Sequence, residues 1–150
     1  MKRTLNTAAL CLALLVFIAG CDSGSDSDDE QRFDVAQLLL EVDGTAVVTA
    51  DDGTATGELT MFLNAETELI QIRLLRADGT EIEVSEANEL VLRQSLDNAS
   101  VVTWLRQEDP MTFRLRGKGL GQAALSFDLF YQDLRNYASP PITVRVTDTP

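Results

Sequence analysis

Few residue types in this chain can do covalent or metal chemistry. There is no histidine, so the commonest general base and the commonest transition-metal ligand are both absent. The only two cysteines, Cys11 and Cys21, lie close to the start. Neither can staple a later domain, and no Ser-His-Asp or Cys-His set can be assembled. Carboxylates are plentiful, 24 Asp plus Glu against 12 Lys plus Arg. No pair stands out as the two acids of a glycosidase, and a solvated acidic surface accounts for them. Calcium is the metal that all-oxygen ligands would take. Asp51 and Asp52 before Gly53, and Asp78 before Gly79, are the candidates, but those positions read first as turn chemistry. The sequence therefore predicts no enzyme, no cofactor and no bound metal. The net charge of −12 also argues against nucleic acid, which needs a basic face.

Two other stretches invite a chemical reading. "GKGLGQA" (Gly117 to Ala123) has three glycines around Lys118. A phosphate loop needs a helix after it, and a β pattern follows instead, so the stretch reads as a hairpin turn or bulge. "FYQDLRNYASPP" (Phe130 to Pro141) holds Tyr131, Gln132, Arg135, Asn136 and Tyr137. These residue types make adaptable contacts in binding loops. They are the candidate binding loop, joining the last two strands.

The first twenty residues have their own grammar. Lys2 and Arg3 precede an apolar run from Ala8 to Gly20. Its 13 residues fall short of the ~20 that a membrane-spanning helix requires. The pattern is that of a secretory signal peptide. Its end, "IAGC" (Ile18 to Cys21), resembles the lipobox of bacterial lipoproteins. That resemblance implies diacylglycerol on the Cys21 thiol and cleavage between Gly20 and Cys21. It also implies palmitate or a similar acyl chain on the new amino terminus. Two or three chains, at ~0.8 kcal/mol per buried CH₂, hold a protein stably where one is marginal. Loss of Lys2 and Arg3 takes the basic count from 12 to 10 against 24 acids, a net of −14.

"DSGSDSDDEQ" (Asp22 to Gln31) has five acids and no large apolar residue, and reads as a disordered tether. Residues 21–32 reach ~40 Å when fully extended. An acidic start to a mature lipoprotein favours inner-membrane retention in some lineages and surface export in others. The membrane is a partner through Cys21, and its identity stays open.

From Phe33 onward the period is two. Ile70, Ile72 and Leu74 share a face, as do Phe113 and Leu115, then Ala123, Leu125, Phe127, Leu129 and Tyr131, then Ile142, Val144 and Val146. Shorter runs are "QLLLEV", "TAVVTA", "GELTMFL", "EIEV", "ELVLR" and "SVVTWL". Turn signals such as "VDGT", "DDGT", "RADGT" and "LDNAS" punctuate them. "RADGTEI" predicts a tight hairpin with positive φ at Asp78 and Gly79. Trp104 continues the Val102 face and is expected in the core.

The expectation is an all-β sandwich of about 7–9 antiparallel strands over 33–150, behind a signal peptide (1–20) and a tether (21–32). The segments "RADGTEI", "LDNASVVTWL", "FRLRGKGLGQAALSFDL" and "SPPITVRVT" resemble bacterial Ig-like domains of the Big type, over roughly Thr56 to Thr147. That resemblance implies a non-catalytic binding or scaffolding module of the cell envelope, with an envelope protein or glycan as partner. The competing expectation is a calcium-dependent carbohydrate binder or a hydrolase working through acidic residues.

Overall fold

The computed structural model describes residues 33–148. Gly20, Cys21 and the acidic tether up to Arg32 lie outside the described residues. Among the described residues the chain forms eleven strands and one 3₁₀ turn. The strands are β1 (Gln37–Val42), β2 (Thr45–Asp51), β3 (Thr54–Gly57), β4 (Leu59–Phe62), β5 (Ile70–Leu75), β6 (Leu90–Leu96), β7 (Val102–Arg106), β8 (Thr112–Gly117), β9 (Gly121–Tyr131), β10 (Leu134–Ala138) and β11 (Ile142–Thr147). The short turn covers Glu86–Asn88, immediately ahead of β6. The protein is an all-β sandwich, as the alternating pattern requires.

One sheet runs β3-β2-β1-β5-β8-β7. The other is built around the long strand β9. Leu125 pairs with both Leu96 of β6 and Ile142 of β11, and Leu129 pairs with both Leu92 of β6 and Tyr137 of β10. β10 and β11 therefore lie end to end on one side of β9, opposite β6. They are one strand broken at Ser139-Pro140-Pro141. The two prolines have no N–H to give to a ladder, and Ser139 repairs the gap. Its N–H donates to the Phe127 carbonyl at 2.8 Å, and its hydroxyl oxygen accepts the Phe127 N–H at 2.9 Å. β4 pairs with β11 in parallel, and Leu63 just after it makes a parallel bridge to Gly117 of β8, both against the antiparallel expectation.

Most of the predicted inward residues are in the core, joined by Leu38 and Leu40 of β1, while Tyr131 is half-buried. Leu38, Leu40, Ile70, Ile72, Leu74, Phe113, Leu115, Leu125, Phe127, Leu129, Ile142 and Val144 are all essentially buried. Trp104 is half-buried at its margin, stacked on Phe113 with ring centroids 4.1 Å apart. Burial of this kind stabilises by ~25 cal/mol per Å² of apolar surface.

Three local expectations change. In "RADGTEI" only Gly79 has positive φ (82°). The Asp78 carboxylate instead accepts the Thr80 N–H at 2.9 Å, which closes the turn without a left-handed Asp. "EIEV" makes only the single bridge Leu75↔Glu81, because the chain then leaves this sheet for the other. "GKGLGQA" is a crossing and not a hairpin, since β8 and β9 belong to different sheets. Gly117 sits where the sheets meet, and a Cβ there would stand 2.6 Å from the Phe62 carbonyl oxygen.

Register also fixes the ends. Tyr131 pairs with Leu90 and Leu134 at one end of β9, and Gly121 pairs with Val146 at the other. Phe33 packs on Tyr131, ring centroids 5.4 Å apart. The described chain thus enters at the Tyr131 end, and β11 finishes at the opposite end.

Candidate functional site

The candidate binding segment is not a loop. Gln132 and Asp133 both have positive φ, 46° and 65°, and form a two-residue turn of the kind that closes hairpins. The residues after it, expected to connect two strands irregularly, form β10 on β9. The physical reason is the free side of β9 beyond Leu125, where β10 satisfies backbone groups that would otherwise go unpaired. A register shift between Arg135 and Tyr137 marks a bulge at Asn136.

This hairpin separates the five candidate residues. Tyr131 and Gln132 face a shallow cleft with Phe33, Asn88 and Glu89. Gln132 Nε2 donates to Glu89 Oε2 at 2.6 Å, which ties the turn to the segment before β6. Arg135 is exposed and pairs with Asp128 on β9 at 3.5 Å. Asn136 Nδ2 donates to the Leu134 carbonyl at 3.1 Å and holds the bulge.

Tyr137 turns the other way, into a cleft of about 440 Å³ lined by Val35, Ala36, Asp51, Asp52, Gly53 and Pro140. Its hydroxyl is buried without a hydrogen-bond partner among the described residues. Burial disfavours the phenolate, and the nearby Asp51 carboxylate adds repulsion, so the pKa is pushed up from 10.0 to about 12. Leu134 is 61% exposed at the hairpin tip, a large apolar residue that the sequence reading passed over. Its signal is an apolar residue directly after a two-residue turn.

Among the described residues, no group of three His, Cys, Asp or Glu side chains gathers closely enough to hold a metal ion. Asp52 has positive φ (40°) in the turn with Gly53, and Asp78 caps its own turn. Asp78 and Glu58 are held below the usual carboxylate range. The backbone N–H of Thr80 does this for Asp78, and the Arg145 guanidinium for Glu58. Glu58 lines a cleft beside β4 that Asp78 does not reach, so the two do not act as a pair. Arg73 on β5 bridges Glu41 and Glu81, each at 3.1 Å. That cluster joins β1, β5 and the segment after the Gly79 turn, with both acids matched.

The fold and these surfaces define an all-β sandwich domain with a paired hairpin at the end where the described chain enters. No known family model matches the sequence, and no curated protein matches it. Among solved structures, the chain is similar to domains 4 and 5 of the S-layer protein SbsC. The TM-score is 0.46 and the identity 10%, over 73% of this chain and 53% of that one. The chain spans about half the length of that structure.

Proposed function

We propose that this is a lipid-anchored protein of the cell envelope whose Ig-like sandwich is a non-catalytic binding or scaffolding module. The lipobox residues Ile18–Cys21 and the apolar run before them support the anchor. Cys21 is acylated after cleavage behind Gly20, and the acidic residues that follow serve as tether.

The observation that carries the binding role is the β9–β10 hairpin. It holds Gln132, Leu134 and Arg135 exposed on a paired, two-stranded support, with Tyr131 and Asn136 at their base. Groups held on strands lose little freedom when a partner arrives, so less of the binding energy goes into ordering them. Twelve residues of tether reach at most ~40 Å. On this reading the tether sets how far the sandwich can reach from the bilayer.

The test is capture of envelope partners by the detergent-solubilised protein, read by mass spectrometry. The same capture is run with Leu134→Ser plus Arg135→Ala, and with an exposed control change far from the hairpin. A partner lost with the double variant and retained by the control supports the reading. A partner set indifferent to the hairpin changes contradicts it.

A further inference from the structure

The two sheets are joined where Gly117 of β8 meets the end of β4, and open on the opposite side. There β6 pairs only with β9, and β7 only with β8. Between these two edges lies a cleft of about 390 Å³, within the ~300–1,000 Å³ range of small-ligand sites. Its floor is Leu90, Leu92 and Trp104, and its rim is Gln94, Arg106 and Glu108.

The placement of the polar groups is unusual. Along β6 the inward row reads Leu90, Leu92, Gln94, Leu96; along β7 it reads Val102, Trp104, Arg106. Gln94 and Arg106 thus stand on rows that otherwise build the core. Gln94 is half-buried and Arg106 exposed, so both heads reach the mouth of the cleft with donors open to a ligand. Neither side chain makes a hydrogen bond or ion pair with another described residue, in a chain with twice as many acids as bases. Asp109 at the same mouth is already engaged, its carboxylate accepting the Met111 N–H at 2.8 Å.

Trp104 is held firmly. Phe113 stacks beneath it at 14° between planes, and Phe127 meets it edge-on with centroids 6.1 Å apart. The indole therefore offers the cleft a fixed apolar plane, with an amide, a guanidinium and a carboxylate around it. Arg106 stands against Glu108 and Asp109, so the mouth carries a small negative excess, which disfavours an anionic ligand and suits an uncharged one rich in hydroxyls.

We propose that this cleft binds a neutral pyranose oligosaccharide. One sugar ring lays its C–H face on Trp104. Gln94, Arg106 and Glu108 take its hydroxyls, amide and guanidinium donating and carboxylate accepting. The site is separate from the β9–β10 hairpin and does not depend on the lipid anchor. It also needs no metal, unlike a calcium-dependent lectin site.

Trp104 is the sole tryptophan, so its emission reports on this cleft alone. The experiment titrates the full chain in detergent with soluble tetramers of glucose, mannose, galactose and N-acetylglucosamine, with chelator present. The expected result is a saturable change in emission with at least one tetramer. Gln94→Ala and Arg106→Ala each weaken it about tenfold, ~1.4 kcal/mol, at unchanged melting temperature. Glu68→Gln, exposed between β4 and β5, leaves it unaltered. Three results would overturn the proposal: no saturable change with any tetramer, a change that survives both Gln94→Ala and Arg106→Ala, or a change produced by extended peptides and by none of the sugars. Because the hairpin and cleft are read by different variants, failure here leaves the capture experiment standing, and the reverse holds too.

Discussion

Tyr137 shows how a single side chain can be read twice. From its type and its place near Pro140 it is a contact residue, and the structure puts its ring at a cleft. Its hydroxyl, however, is buried without a partner among the described residues. Removing such a group costs little or stabilises, because the desolvation penalty goes with it. Tyr137→Phe is therefore expected to keep or raise the melting temperature at neutral pH. The alkaline side separates the two proteins further. The folded-state pKa of about 12 lies above the ordinary 10.0, with burial as the main cause and Asp51 second. The folded protein thus holds the phenol proton more tightly than the unfolded chain. The stability linked to that proton is fully present below pH ~10 and is lost as pH rises toward ~12. Wild type should show this loss in chemical denaturation across that window, and Tyr137→Phe should show a flatter profile. Equal profiles would mean the hydroxyl has a partner in solution.

At the scale of elements, the broken strand β10–β11 depends on Ser139. Its hydroxyl and N–H stand in for a stretch of ladder that Pro140 and Pro141 cannot provide. Ser139→Ala leaves the Phe127 N–H without its acceptor, next to a fully buried ring. The expected loss is ~1–3 kcal/mol in unfolding free energy, and Ser139→Thr should recover part of it. Much of the element order was legible beforehand. Strict alternation named the inward rows of β5, β8, β9 and β11, because burying one face of a sheet leaves that signature whatever the topology. What escaped was decided by pairing. β3 is four residues, "TATG", with no large apolar side chain to declare it. β10 has exposed residues at both ends, a bulge in the middle, and a Gln-Asp turn in place of the usual Asn-Gly. The parallel pairing of β4 with β11 joins residues far apart in sequence, which no local pattern encodes. The same limit applies to the sites. The five hairpin residues could be picked by type, but not that Tyr137 and Tyr131 face different clefts. The Trp104 cleft needed both sheets, since Gln94 and Arg106 look like ordinary polar positions until the edges of β6 and β7 are set side by side.

For the whole molecule, the architecture separates an end where the chain enters from an end where β11 finishes. The hairpin lies at the first, and the Trp104 cleft opens along one side. The proposed lipid anchor would keep such a module at a membrane while it contacts what lies near it. The acid excess keeps such a surface soluble and turns it away from anionic headgroups. The reading stands or falls with Cys21, because an unanchored sandwich has no reason to present its contacts beside the bilayer. The most direct measurement is mass spectrometry of the mature amino terminus from a bacterial host that processes lipoproteins. The expected species begins at Cys21, carries a diacylglycerol thioether, incorporates labelled palmitate, and disappears in Cys21→Ala. A mature chain that begins elsewhere with Cys21 unmodified, or label taken up equally by the Ala variant, would contradict the account.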